Sequence, residues 1–414
     1  MNKLHKTLLT ISRIFIGVIF IYSGFVKSID PLGFTYKLTD YFIAFGTEWA
    51  TPLSFFLSVT LSLTEFVIGV ALLLNLKAKQ AILGALLFML FFTPLTFILA
   101  INNPVHDCGC FGDALILTNW QTFGKNIIIL IPVVYVFIVR KKIVSNLHCI
   151  EQWAGVGIAT IFIGFLSAYS YYHLPIIDFR PYKVGTYIPE KMTIPENAPV
   201  DEWESTFIYK KDGVKKEFKI NNLPDSTWVF VDSKNILVKN GYTPPIHDFI
   251  ITTAEGDDIT DLLLASKNYT FLLISYKLDG YSYKNQQKID KLIQFCIDRG
   301  YNFYGITSSS NSDIDSYLES TQNDFDFYGA DEITLKTIIR SNPGLVLIKS
   351  GAIINKWHNN DIPCTSELEE NINAQTISEY KKSSDNYYIL LLISASGLMI
   401  SLYLLIRKSI FKIN

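Results

Sequence analysis

Long apolar stretches separated by short charged ones dominate the first 172 residues and return near the end of the chain. Because hydrocarbon cannot hydrogen-bond a peptide group, a helix that crosses a bilayer needs about 20 apolar residues. Six segments approach this length and predict about six transmembrane helices. They span residues 8–25, 53–76, 81–101, 123–139, 153–172 and 387–406.

Lysine and arginine cluster in four short flanks of these segments. Such clusters favour the cytoplasmic side, and with six spans all four fall on one side. The pattern predicts an inner-membrane protein with both termini in the cytoplasm. Residues 30–49, 102–121 and 173–385 then face the periplasm. The clusters are Lys3 and Lys6, Lys77 and Lys79, Arg140 with Lys141 and Lys142, and Arg407 with Lys408 and Lys412.

Residues 173–245 are polar with short alternating runs, and they predict a mainly β adaptor. Two such runs flank Asp212-Gly213, a dipeptide typical of a tight hairpin turn. Residues 228–231 predict a further strand, and Pro244-Pro245 marks the end of the adaptor.

From residue 246 to 361 the pattern changes to strands alternating with helices, which predicts a sheet with parallel pairs covered by helices. Residues 249–257 predict a hairpin at its start, and 269–276 a buried strand. In the helical segment 284–299 the apolar positions share one face and include Cys296. The fold class is therefore an α-helical membrane bundle followed by an α/β soluble domain.

The net charge of −2 hides a division along the chain. Residues 173–385 contain 22 Lys+Arg against 31 Asp+Glu, whereas the rest contains 14 against 7. An acidic soluble part argues against nucleic acid as a partner, since phosphates require a basic face. The lipid bilayer is the partner that the composition predicts. Five cysteines are too few for a disulfide framework.

The loop between the third and fourth spans contains Cys108-Gly109-Cys110. Extended backbone places the two Cα atoms about 6–7 Å apart, so a disulfide is feasible but tight. Exposed, strained disulfides tend to exchange, which makes Cys108 and Cys110 candidate redox residues. Two alternatives remain: a structural disulfide, and a metal site that would add His106, Asp107 and Asp113 as ligands.

The first predicted span contains the ionisable residue Arg13, and the second contains Glu65. Charges at membrane depth are costly and are usually paired or functional. Their similar depths predict a structural ion pair between them.

Residues 1–145 resemble the DoxX-like four-helix membrane module, and specifically its methylamine-utilisation MauE branch. The cysteine loop, residues 107–112, is the specific part of the resemblance. It implies a membrane protein of thiol–disulfide chemistry or of the maturation of exported proteins, often beside a thioredoxin-like partner. The other matching positions are Arg13, Gly17, Phe20, Ser23, Gly24, Lys27, Asp30, Pro31, Glu65 and Gly69.

Residues 246–361 resemble a thioredoxin-like domain of the TlpA or peroxiredoxin type. Pro343 stands where that fold places a cis-proline. A thioredoxin has Cys-x-x-Cys directly after the core strand, at a helix N-terminus that lowers the thiolate pKa. Residues 277–283 contain no cysteine. This domain is therefore predicted to recognise a partner rather than to exchange thiols.

The remaining segments are a fifth span (146–172), a linker (362–386) and a C-terminal span with a basic tail (387–414). The predicted function is periplasmic thiol–disulfide chemistry at Cys108 and Cys110, with a separate thioredoxin-like protein or an exported client as partner. A non-catalytic envelope scaffold is the alternative, and a metal-handling loop is the second. No nucleotide, haem or flavin motif assigns a cofactor.

Overall fold

A computed structural model describes residues 3–105, 107–145, 147–239 and 241–372. Within them, five helices are long and apolar enough to span a membrane, which confirms the first five predicted spans. The sixth, residues 387–406, lies outside the described residues. The helices of this part are α1 (Lys3–Ile29), α2 (Pro31–Ala44), α3 (Ser54–Leu73), α4 (Ala78–Asn102), α5 (Asn119–Val139) and α6 (Cys149–Tyr172); α2 is the one too short to span.

Close contact between α1 and α3 depends on glycine. A Cβ atom added at Gly69 would lie 2.5 Å from the backbone nitrogen of Ile21. One added at Gly24 would lie 2.5 Å from the backbone nitrogen of Phe66. Small residues allow membrane helices to approach in this way, where packing rather than the hydrophobic effect drives association.

The outward loop predicted at residues 30–49 contains the helix α2. Asp30 caps it, accepting a hydrogen bond from the Gly33 amide at 2.9 Å, and Pro31 occupies its first position. The side chains of Phe34, Leu38 and Tyr41 are buried, and their spacing places them on one helical face. That face packs against the bundle, so this loop is an ordered part of it.

The adaptor folds as a three-stranded antiparallel sheet of β1 (Glu202–Lys211), β2 (Val214–Lys219) and β3 (Val229–Lys239), in the order β2-β1-β3. Lys211 and Val214 form the last pair of β1 and β2. Asp212 and Gly213 both have positive φ, as the two-residue turn requires. The predicted hairpin and third strand are confirmed.

A five-stranded sheet organises the second soluble part, in the order β6-β5-β4-β7-β8. Its central strand β4 pairs in parallel with β5 and antiparallel with β7, which confirms the α/β prediction. The Asn342–Pro343 peptide bond is cis, as the thioredoxin-like resemblance predicts. The elements are α7 (Ile188–Met192), α8 (Thr260–Ala265), β4 (Thr270–Ser275), α9 (Gln286–Arg299), β5 (Asn302–Thr307), α10 (Asn311–Thr321), β6 (Phe327–Gly329), α11 (Glu332–Ile338), β7 (Gly344–Lys349), β8 (Ala352–His358) and α12 (Thr365–Ile372).

The hairpin predicted at residues 249–257 is reduced to one bridge, between Thr252 and Asp258. Thr252 also pairs with Gly329 at the end of β6, a strand too short to be recognised in the sequence. Phe249 and Ile251 enter the core beneath the sheet, so the segment is held by burial rather than by a ladder.

The chain that leaves α6 is fixed to the α/β part by buried charges. Asp178 contacts Arg180 at 2.7 Å and Lys356 of β8 at 2.6 Å. Although burial alone would raise it, the two cations hold the pKa of Asp178 well below its usual range. The sheet is thereby attached to the segment that emerges from the membrane helix.

We expect Gly69→Ala to lower the thermal unfolding midpoint in detergent. The added methyl group meets backbone atoms, and overpacking of this kind costs about 1–3 kcal/mol. Gly124→Ala in α5 is the matched control, because its Cβ would enter open space. An equal midpoint for the two variants would contradict the close approach of α1 and α3.

Candidate functional site

The cysteine loop is anchored at both ends. Asn103 ends α4 in a left-handed conformation, and Thr118 begins α5 through a capping box with Gln121. The side-chain amide of Asn119 donates to Asn103 Oδ1 at 2.7 Å and to the Val105 carbonyl at 2.8 Å. The loop is thus held as a short closed segment between two membrane helices.

Two glycines with positive φ turn the chain back within this loop, Gly109 at 65° and Gly112 at 51°. Such angles are unfavourable for other residues. The turn at Gly109 brings the Sγ atoms of Cys108 and Cys110 to 2.9 Å from each other. Both thiols are free, and they lie within reach of bond formation without a change of fold.

Side chains from two helices fix the backbone at each cysteine. The Tyr41 hydroxyl donates to the carbonyl of Cys108 at 2.6 Å, and the Ser23 hydroxyl lies 2.9 Å from the carbonyl of Cys110. Ser23 is also 3.1 Å from a carboxylate oxygen of Glu65. The cysteine loop is therefore fastened to α1, α2 and α3 at once.

The two thiols have different electrostatic surroundings. The hydrogen bond from the Cys108 thiol lowers the pKa of Cys110 to about 6, assisted by the positive charges of Lys125 and Lys27 against the opposing effect of burial. Because the Cys108 thiol donates in that bond, and because it is buried, the pKa of Cys108 is raised well above its usual range. These surroundings favour ionisation of Cys110 over ionisation of Cys108.

The predicted pairing of Glu65 with Arg13 is wrong. The cation that contacts Glu65 is Lys27, at 2.5 Å, with both side chains buried. Gly24, rather than Arg13, is level with this part of α3. Arg13 lies eleven residues before Gly24, which is about 16 Å along the helix.

Arg340, just before β7, joins the soluble part to the membrane part. Its guanidinium lies 3.0 Å from a carboxylate oxygen of Asp30 and 3.2 Å from one of Asp113 in the cysteine loop. The two carboxylates help keep the pKa of Arg340 above its usual value although burial opposes this. Gly33 makes the approach possible, since its Cβ would lie 2.8 Å from the guanidinium.

The position where a thioredoxin carries its cysteines holds a different network. Ser275, at the end of β4, donates to the side chain of Asn342 at 2.8 Å, and Asn342 donates to the Lys277 carbonyl at 2.8 Å. The nearest cysteine in sequence, Cys296, is buried in the core of α9, and burial raises its pKa to about 12. Within residues 246–361, the single cysteine is thus a buried core residue rather than an accessible thiol.

The metal site suggested for the cysteine loop and the roles of its two carboxylates can be compared with the structure. Among the described residues there is no group of three or more His, Cys, Asp or Glu side chains that could hold a metal ion; His106 lies outside them. Asp107 forms an ion pair with Lys37 of α2, and Asp113 contacts Arg340. The loop carboxylates thus serve in contacts to neighbouring elements.

The fold and site define a membrane protein with several apolar spanning helices, a paired-thiol loop and an α/β soluble part. Residues 5–139 match the family model of the methylamine utilisation protein MauE, so the N-terminal membrane region is similar to that family. Residues 203–240 match a domain of unknown function, DUF8463. The DoxX part of the resemblance stays a prediction.

No curated protein matches the chain. A solved structure, that of a secreted Mycobacterium tuberculosis disulfide oxidoreductase homologous to E. coli DsbE, is 15% identical. The match covers 30% of this chain and 92% of that one, with a TM-score of 0.24. A likeness of this size has no bearing on function.

We expect the alkylation rate of reduced Cys110 to rise with pH through a midpoint near pH 6, because only the thiolate reacts. In Cys108→Ala the midpoint shifts upward, since the thiol that stabilises the anion is lost. A small permeant reagent with peptide mass spectrometry measures both, and Cys149→Ala is the control. A midpoint that stays in place would show that Cys108 does not stabilise the thiolate.

We expect Arg340→Gln to increase several-fold the rate at which a membrane-impermeant maleimide labels Cys108 and Cys110. The substitution removes the cation shared by Asp30 and Asp113, and the two carboxylates left facing each other repel. Peptide mass spectrometry resolves the labelled positions. Lys291→Gln, an exposed position on α9, is the matched control. Equal rates in the two variants would show that this contact does not cover the loop.

Proposed function

We propose that the protein is a thiol–disulfide exchange component of the inner membrane, with Cys108 and Cys110 as its reacting residues. The observation that carries this is the pair of free thiols 2.9 Å apart in the wall of a cavity that Lys27 and Lys125 also line. A structural staple needs no cation beside it, whereas an exchanging thiolate is stabilised by one.

In the reducing direction, the Cys110 thiolate attacks a disulfide of the partner. One sulfur–sulfur bond of the partner breaks as the mixed disulfide forms, and the partner's second sulfur leaves as a thiolate that takes up a proton. Cys108 then loses its proton and attacks the mixed disulfide, which releases the second partner thiol and leaves Cys108–Cys110 oxidised. In the oxidising direction the same intermediate forms, and all steps reverse.

Cys110 is the residue that meets the partner because it is the less buried of the two and the one that is ionised. Cys108, which is 5% exposed and keeps its proton, is the resolving residue. The partner is a periplasmic thioredoxin-like protein or an exported client. We place residues 173–385 in the periplasm and both termini in the cytoplasm, from the positive flanks of the spans.

The soluble domain, lacking a cysteine after β4, serves to position this partner rather than to exchange electrons with it. We also propose the domain boundaries that the sequence predicts. A second candidate function, a non-catalytic scaffold, is favoured by the contact of Arg340 with Asp113, which places the domain over the loop.

The test is the redox state of Cys108 and Cys110 in native membranes, by alkylation and mass spectrometry across a series of thiol buffers. We expect a reversible transition above about −300 mV, the range of exchanging rather than structural disulfides. A bond that stays closed throughout, or thiols that never pair, would leave the scaffold in its place.

We expect Cys108→Ser to accumulate mixed disulfides with partner proteins, because the reacting Cys110 is kept while the resolving thiol is lost. Cys110→Ser, which removes the thiolate, should accumulate few. Non-reducing electrophoresis of membranes measures the adducts, with Cys149→Ser as the control for general thiol loss. The opposite order of the two variants would assign the roles the other way round.

A further inference from the structure

A cavity of about 350 Å³ lies within the helical bundle, and both cysteines form part of its wall. This volume is within the range of small-molecule sites, roughly 300–1,000 Å³. Most of the wall is aromatic or aliphatic and comes from α1 to α5. Phe34, Leu61, Phe88 and Phe92 are among the residues that line it.

The polar groups of the cavity are concentrated around the thiols. Lys27, Glu65 and Lys125 line it together with Cys108 and Cys110. Lys27 is engaged by Glu65. Among the residues that the structure describes, no carboxylate lies within ion-pair distance of Lys125, whose ammonium stands 4.4 Å from the Phe111 ring centroid. A cation within a membrane segment is costly unless an anion balances it. The charge of Lys125 lowers the pKa of Cys110, so the Cys110 thiolate can serve as that anion.

The far side of the cavity reaches the surface that faces lipid. Phe91 lines the cavity and is 64% exposed, and Phe45 lines it and is 42% exposed. Phe91 lies in α4, one of the helices long and apolar enough to span the membrane. A ligand with an apolar tail can therefore enter from the bilayer with its head group toward the thiols.

We propose that this cavity binds a membrane quinone, which accepts the electrons of Cys108 and Cys110. The inference rests on the thiol–disulfide role proposed above and names the electron acceptor for it. A flat ring fits between aromatic walls, its carbonyl oxygens suit the lysine ammonium groups, and its apolar tail suits the opening toward lipid.

The reaction needs no redox reagent other than the quinone. The two cysteines supply two electrons, the Cys108 thiol supplies one proton, and solvent supplies the second because Cys110 is already ionised. One sulfur–sulfur bond forms, and the electrons and protons pass to the two carbonyl oxygens of the quinone, which becomes the hydroquinone. Before the reaction, the positive charge of Lys125 balances the Cys110 thiolate. During the reaction, it balances the negative charge that develops on the quinone oxygen.

The test uses the full-length reduced protein in detergent under anaerobic conditions, with decylubiquinone as the probe. We expect the quinone to convert Cys108 and Cys110 to the disulfide, with one hydroquinone formed per disulfide. Leu61→Trp, which fills the cavity, should slow this oxidation by tenfold or more. Leu87→Trp on α4, a 60% exposed position outside the cavity, is the matched control and should react at the wild-type rate.

Thiol-buffer titration of the same variants separates this inference from the proposed function. If Leu61→Trp titrates like the wild type but resists quinone, the cavity is the quinone site. If the wild type titrates reversibly but quinone never oxidises it, the thiol role stands and the quinone site is refuted. If the cysteines never pair in any buffer, the proposed function itself fails.

Solvent extraction of the purified protein gives a second measurement that does not depend on the variants' activity. We expect quinone to co-purify with the wild type and with Leu87→Trp, and to be depleted in Leu61→Trp. Phospholipid without quinone in the wild-type extract, together with no oxidation by the probe, would assign the cavity to a lipid chain and overturn the inference.

Discussion

The ammonium of Lys27 and the carboxylate of Glu65 lie in contact between α1 and α3, and both are almost fully buried. A single charge at this depth would be costly, so each requires the other. Their contact in turn requires the two helices to lie close, which Gly24 and Gly69 permit. Ser23 then links Glu65 to the carbonyl of Cys110. The position of the cysteine loop therefore depends on this pair.

From the opposite side the same loop is held by a second cation. Arg340 binds Asp113 of the loop and Asp30, the residue that caps α2. A buried guanidinium can satisfy two carboxylates because its donors form a rigid planar fork. The loop is thus fixed between a charged pair within the bundle and a charged cluster at the soluble domain. Its two thiols remain free, and their pKa values are shifted in opposite directions.

Local patterns were sufficient to predict most of the fold. The five described spans, the Asp212-Gly213 hairpin and the alternating strands of the α/β part each follow from short-range periodicity or turn chemistry. The helix α2 could not be recognised in the same way, because its apolar stripe is too short to outweigh its polar residues. The hairpin predicted at residues 249–257 forms only in part, and its pairing with β6 was missed because β6 is distant in sequence.

The sequence predicted the two cysteines of the site but not the residues that contact them. Helix depth counted from uncertain ends suggested Arg13 as the partner of Glu65, whereas the register between α1 and α3 selects Lys27. Tyr41 acts on the cysteine loop from α2, and nothing in its sequence surroundings marks it. Lys125 acts from α5, and its position as a lone charge in the fourth predicted span was a signal that could have identified it. Contacts between elements decide these roles, and the spacing of residues along one element does not encode them.

The soluble domain contacts α2 through the residues that follow β4. Tyr276 follows β4, where a thioredoxin would begin its reactive loop, and it shares the ammonium of Lys336 with Tyr36 of α2. The ammonium of Lys336 in α11 lies over both rings, and the guanidinium of Arg340 contacts Asp30, which caps α2. The face that carries the chemistry in a thioredoxin is here occupied by α2 of the same chain. The end of β4 is therefore covered by α2, and the contacts of Lys336 and Arg340 hold the domain against the cysteine loop.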